Sequence, residues 1–264
     1  MFKGVLRKMH TSYCSPIRYF LSLENDFIEI NQCIGRRIKI IKTGEQCLNC
    51  NKKKLIFRQG FCKNCFFESP LIGDWIIRPE LSTAHLGIED RDLEFEKKMQ
   101  LQPHIVYLSL SSHIKVGVTK KEQLYTRWID QGAQSAIAIL EVPNRYLAGK
   151  AEVELKKVFS DKTNWRKMLQ NEFEPVEWQS QKNIAIENLS NELHSFILSE
   201  LNIIELDFPI KNYPKKVTSL NFNKSISCEG ILTGIKGQYL IFDDDTVCNI
   251  CLLYTSDAAD ELRS

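Results

Sequence analysis

The chain has 264 residues, of which 43% are hydrophobic and 26% charged, with a formal net charge of +2. That length can bury a sizeable core and has room for more than one domain. The near-neutral charge excludes an argument for nucleic acid from global electrostatics, because a strongly basic domain is the usual sign. No apolar run reaches membrane-span length, and the opening MFKGVLRKMH lacks an apolar signal segment. A soluble, cytoplasmic protein with no membrane partner is therefore expected. Four of the nine cysteines fall in metal-type pairs and five are scattered, the pattern of reduced thiols.

Residues 1–42 read as a β region. IRYFLSL and FIEI carry the β-branched and aromatic residues of strands, with END as the turn between them. Residues 43–82 hold a cysteine module, in which CLNCNKKKLIFRQGFCKNC supplies Cys47, Cys50, Cys62 and Cys65 as two CxxC pairs. Each pair aims two thiolates at one ion, and two such knuckles close a tetrahedral shell suited to Zn²⁺. With all four positions filled by protein there is no room for a water nucleophile, so the zinc is expected to be structural. A redox CxxC is the alternative, which a second pair at short range argues against. Lys52, Lys53 and Lys54 lie between the pairs, with Phe57, Arg58, Phe61 and Phe66 nearby. Basic residues interleaved with aromatics suit a nucleic acid. A solvated hairpin tip over a small apolar core gives the same string.

Residues 83–102 are expected to form a connecting helix, with His85 in a local structural role because four cysteines already complete a metal shell. From 103 to 180 the pattern becomes mixed α/β. IVYLSL and HIKVGVT read as strands, KEQLYTRWI as a helix, SAIAILEV as a third strand and RYLAGKAEVELKKVF as a second helix. Asp161 or Thr163 in DKTNW is the candidate cap of a further helix. Within 181–205, Ile186, Leu189, Leu193, Ile197 and Leu201 share one helical face and are expected in the core, with His194 on the polar side.

Residues 206–250 form a second β region, GILTGIKGQYLIFDDDTVCNI being broken by Gly and Asp turns. GVL and YFLSLENDFIEIN near the start parallel GIL and YLIFDDDTVCNI near the end. The two regions read as an internal repeat joined in one sheet or barrel, although β-turn grammar alone produces similar strings. The final segment 251–264, CLLYTSDAADELRS, resembles translated adapter read-through. Natural coding is expected to stop near Ile250, and the segment is set aside.

Between about 104 and 168 the chain resembles the GIY-YIG nuclease superfamily. The carrying residues are Tyr107 in VY on the first strand, Lys115-Val116-Gly117 with Thr119 on the second, Arg127 on the first helix, Glu152 in AEVELKK, and Trp165 after it. The resemblance implies a GIY-YIG-like α/β domain inside an α+β chain, with Arg127 as catalytic arginine and Glu152 as ligand for a divalent ion, Mg²⁺ or Mn²⁺. Over nearly its full length the chain also resembles a bacterial family of uncharacterised proteins, domain of unknown function 2797, on KVGVT, RWIDQGA, DKTNWRKML, GIKGQYLIF and the two CxxC pairs. That likeness implies a shared fold and a zinc site, and it brings no established activity.

The chemistry of these residues is coherent. A metal at Glu152 acts as Lewis acid, Arg127 offers planar paired donors to phosphate, and Tyr107 relays a proton. Lys115 stands where the superfamily has its second Tyr. An unperturbed lysine, with a pKa of about 10.4, stays protonated at neutrality, so Lys115 is expected to bind phosphate rather than to act as a base. Bland alternatives exist for each residue: Tyr107 as core, Arg127 paired with Asp130 or Glu152, and Glu152 solvated like Glu154. The expectation is a zinc-stabilised protein that binds DNA or RNA and extends to metal-dependent endonuclease activity. Its rival is a non-catalytic module that recognises protein or RNA.

Overall fold

A computed structural model describes residues 2–23, 26–220, 222 and 226–250, so the expected read-through tail lies outside the described residues. In chain order its elements are β1 (His10–Ser12), β2 (Arg18–Ser22), β3 (Phe27–Glu29), β4 (Arg37–Ile41), α1 (Lys63–Glu68), α2 (Asp74–Ile77) and α3 (Leu93–Gln100). Then come β5 (His104–Leu110), β6 (Ile114–Lys120), α4 (Leu124–Asp130), β7 (Ser135–Val142), α5 (Arg145–Leu155), α6 (Trp165–Gln170) and α7 (Trp178–Glu187). The last strands are β8 (Ile204–Glu205), β9 (Thr218–Ser219), β10 (Ser227–Lys236), β11 (Tyr239–Phe242) and β12 (Thr246–Asn249). This is α+β content. The chain divides into two compact units: one joins its two ends, up to Glu68 and from Asp207, and the other runs from Ser69 to Leu206.

In the first unit, β1, β2 and β3 form a sheet of their own, and a second sheet has the order β4-β10-β11-β12-β9. The two ends of the chain meet where β4 pairs antiparallel with β10, Ile40 lying opposite Cys228. They also meet at Gln238, whose side chain accepts from Met9 N at 2.7 Å and donates to Met9 O at 3.2 Å. The proposed repeat does not extend to Gly4–Leu6. Its counterpart Gly230–Leu232 lies within β10, whereas Gly4–Leu6 belongs to no strand, its backbone lying instead against Leu23.

The second unit is built on an antiparallel sheet of order β6-β5-β7-β8. Its apolar face carries Val106, Leu108 and Val116, on which Ala148, Ala151 and Leu155 of α5 are packed. Helix α5 starts where the sequence stops favouring a strand: Pro143 is followed by Asn144, whose side chain accepts from Leu147 N at 2.9 Å as N-cap. Helix α4 ends at Gly132, whose φ of 63° only glycine adopts freely. Helix α6 is capped by Asn164, which accepts from Lys167 N. Neither Asp161 nor Thr163 is the cap, and Thr163 instead reaches Ser111.

Two helical expectations resolve differently. The segment 83–102 is a short 3₁₀ turn at Ala84–Leu86 followed by α3, whose N-cap Asp92 accepts from Phe95 N. The apolar stripe from Ile186 to Leu201 is not one helix. Helix α7 ends at Glu187, and Asn191–Phe196 is a 3₁₀ turn. Leu189 and Leu193 are still buried in the core, and Ile197 and Leu201 pack against it. A tighter 3₁₀ path and a single α-helix satisfy the same spacing of apolar residues, so the period by itself did not distinguish them.

Gly149 sets how closely α5 approaches the Pro79–Leu81 turn. A Cβ there would stand 2.2 Å from Glu80 N and 2.4 Å from Pro79 C, both backbone atoms. Gly149→Ala is expected to destabilise the protein by about 1–3 kcal/mol through overpacking, despite the better helix propensity of alanine. Denaturant unfolding would measure it, and an unchanged midpoint would refute the close approach.

Candidate functional site

The cysteine module folds as two knuckles held by backbone bonds. Asn51 N donates to Cys47 O at 2.9 Å, Leu48 N to Gly60 O at 2.9 Å, and Cys62 N to Cys47 Sγ at 3.3 Å. The Sγ atoms of Cys47, Cys50, Cys62 and Cys65 all lie within 4.8 Å of one another. A tetrahedral Zn²⁺ with Zn–S of about 2.3 Å needs sulfurs about 3.8 Å apart, so a small contraction suffices. Burial works to raise the Cys47 thiol, but N–H groups of Cys50, Cys62 and Asn49 overcome it and bring the pKa down to about 6. At Cys65 Asn49 pulls downward, yet burial and the other three thiols push it up to about 11. Four soft donors converging with one already near its thiolate form could hold a zinc ion.

The central residues are placed by the β5–β6 ladder. Tyr107 stands opposite Gly117 and Ser109 opposite Lys115, so Tyr107, Gly117 and Lys115 share one face of the sheet. A β-bulge lies beside them, where Val106 pairs with Leu140 but Tyr107 with Ala138. Tyr107 is fully buried; its ring meets Trp128 edge-on at 5.9 Å, and its hydroxyl donates to Gln131 Oε1 at 3.0 Å. Arg127, on α4, lies close enough for its charge to act on the same phenol. Burial raises the Tyr107 pKa and Arg127 opposes that rise.

Arg127 is an exposed residue. Burial acts to lower its pKa, and Tyr107, Asp130 and Glu152 more than offset this. Lys115 is 7% exposed, and no hydrogen bond or ion pair holds its amine among the described residues. Burial first, then the charge of Arg127, lower its pKa to about 7 against the pull of Asp161. The expectation that Lys115 stays protonated used the reference value of an exposed lysine; burial and the charge of Arg127 both act against the charged form.

Glu152, on α5, is 9% exposed. Its Oε2 has no hydrogen-bond partner among the described residues, and Lys156 Nζ lies 3.5 Å away, at ion-pair distance. Burial raises its pKa, Lys156 and Arg145 lower it, and Glu80 raises it again. Among the described residues no hydrogen bond or ion pair joins any two of Tyr107, Lys115, Arg127 and Glu152; the charge of Arg127 bears on Tyr107 and Lys115 and is affected by Glu152.

Sequence reasoning missed Arg145, Glu80 and Gln131. Arg145 precedes Glu152 by seven residues, two turns of the same helix, and that spacing was the available signal. Its guanidinium donates to Trp75 O at 3.0 Å and Ile76 O at 2.7 Å, and burial lowers its pKa to about 10. His85 stacks on Tyr146 at 4.4 Å, a ring contact that the local structural reading did not include.

A family model described as "Protein of unknown function (DUF2797)" matches residues 35–255. No curated protein and no solved structure matches the chain. Among the described residues no helix is long and apolar enough to cross a membrane.

Two predictions follow from these geometries. Freshly purified protein should carry about one Zn²⁺ per chain by elemental analysis, and Cys62→Ser should lose it; zinc-free wild type would end that reading. Lys115 has a depressed folded pKa, so between about pH 7 and about pH 10.4 the unfolded chain binds a proton that the folded lysine has released. Stability should therefore rise with pH across that window. Lys115→Met should flatten the rise and show its greatest relative stabilisation below pH 7. Denaturant titrations across the window with the same pH slope for both proteins would refute it.

Proposed function

The chain belongs to the DUF2797 family of proteins of unknown function, and we propose that it is a zinc-stabilised nucleic-acid-binding protein whose central site cleaves phosphodiesters with a divalent metal. What supports this reading is that Tyr107, Gly117 and Lys115 share one face of the β5–β6 ladder, with Arg127 on the following helix close enough to act on Tyr107 and Lys115 and to respond to Glu152. The strand–strand–helix–strand–helix order behind the likeness to GIY-YIG nucleases is also the order of β5, β6, α4, β7 and α5, which supports it.

Each residue has a defined task in this reading. Arg127 offers paired donors to a phosphate and remains charged at any working pH. Tyr107 donates to Gln131 and is buried near the charge of Arg127, so its role is to position this part of the site rather than to release its own proton. The unsatisfied Oε2 of Glu152 is where Mg²⁺ or Mn²⁺ would be held, ions that commonly bind through one or two carboxylates and the substrate phosphate. When bound, such an ion supplies Lewis-acid polarisation. Lys115, with a pKa near neutrality, is suited to accept a proton from an attacking water.

The burial of Glu152 favours a second reading, a binding module without catalysis, because a carboxylate closed off beside Lys156 also serves a purely structural role. Assays on labelled DNA and RNA with Mg²⁺ or Mn²⁺ separate the two. Arg127→Ala should weaken binding about tenfold or more, and Glu152→Ala should remove metal-dependent cleavage while leaving binding near wild type. Binding without cleavage by wild type would select the module. Equal binding by all three proteins at low salt, where phosphate contacts are strongest, would leave these residues a structural role only.

A further inference from the structure

The cysteine module carries surface features of its own. Between its knuckles the chain makes a tight hairpin, with Phe57 N donating to Phe61 O at 2.7 Å and Arg58 bridged to Phe61. Gln59 and Gly60 both have positive φ, 50° and 80°, as a two-residue turn of this hand requires. Helix α1 begins at the second knuckle. Phe57 from the hairpin thereby meets Phe66 and Phe67 from α1, with ring centroids 5.3 to 5.8 Å apart. These rings are not a closed core: Phe57 is 43% exposed, Phe67 59%, and nearby Leu55 84%.

The charge around the rings is mainly positive. From Glu45 to Glu68 the chain has five basic residues, Lys52, Lys53, Lys54, Arg58 and Lys63, against two acidic ones, Glu68 and Glu45, the latter accepting from Ile56 N at 3.1 Å. All five are exposed, and among the described residues none is in an ion pair. Arg58 lies over the Phe57 ring at 5.5 Å. A four-thiolate zinc centre carries a formal charge of about −2 and so leaves this excess only partly neutralised. An apolar protein partner would use the rings and leave the cations unmatched. A duplex would use the cations but keep its base faces stacked away. A single strand offers both phosphates and free base faces.

We propose that the zinc module binds single-stranded nucleic acid, with Phe57 and Phe67 as stacking platforms and Lys52, Lys53, Lys54 and Arg58 along the phosphates. The proposal rests on the nucleic-acid reading of the chain but not on the central residues. The test is fluorescence polarisation of the full chain with fluorescein-labelled oligothymidylate and oligouridylate, and with a duplex of equal length. It is run in the wild-type and Arg127→Ala backgrounds.

Single strands are expected to bind more tightly than the duplex in both backgrounds. Phe57→Ala with Phe67→Ala should weaken single-strand binding about tenfold or more. Changing Lys52, Lys53 and Lys54 to Gln should lower the salt slope by about 2, three cations at about 0.7 each. All variants should retain wild-type zinc content, which separates lost contacts from lost fold. Preference for the duplex, indifference to the double phenylalanine variant, or no binding at low salt would each overturn the proposal. Binding lost wholly with Arg127→Ala would overturn it while leaving the central reading intact.

Discussion

Tyr107 lies across Gly117 because nothing larger than hydrogen fits beneath it. The two residues face each other in the β5–β6 ladder, and a Cβ at position 117 would stand 2.5 Å from the phenolic oxygen. That clearance sends the ring over the neighbouring strand, so its hydroxyl reaches Gln131 just past the end of α4. Trp128 closes the edge of the same ring. One missing side chain on β6 therefore sets where a buried phenol ends, within reach of the charge of Arg127 on the next helix.

Around that arginine, burial acts on the other groups in a consistent direction. It lowers the Lys115 pKa and raises that of Glu152, so both shift toward their neutral forms. A guanidinium is not neutralised in this way. Arg127 is accordingly the lasting charge of the cluster, and the lysine and carboxylate are the groups whose protonation can respond to what arrives. An anion would meet a fixed cation there, and a cation would meet a carboxylate oxygen that lacks a hydrogen bond. This asymmetry is what makes the cluster more than a surface salt bridge.

The cysteine module obeys a different constraint. From Cys47 to Phe67 its buried side chains are Cys47, Cys62, Cys65 and Phe61, while large apolar side chains such as Leu55 and Phe67 face solvent. So short a segment cannot bury enough apolar surface to order itself, and a metal held by the four thiols would replace the core. Phe57 and Phe67 are thereby left at the surface. The Ser69–Leu206 unit shows the converse, with α5 and the sheet sharing an apolar core that needs no metal.

Much of this was local and hence legible. CxxC spacing located the cysteines that converge, and alternation and β-branching located β5, β6 and β7. The order of Tyr107, Lys115, Arg127 and Glu152 was legible as a motif, and whether these residues act together is left to the assays on Arg127 and Glu152. What the sequence could not determine depends on distance through space. The path of the chain after Glu187, the absence of Gly4–Leu6 from any strand, and the register in which β4 joins β10 were decided by tertiary contacts. So was the lowering of the Lys115 pKa, because a pKa depends on how much water surrounds the amine and which charges lie near it. Desolvation and Coulomb forces act between residues that only the folded chain brings together.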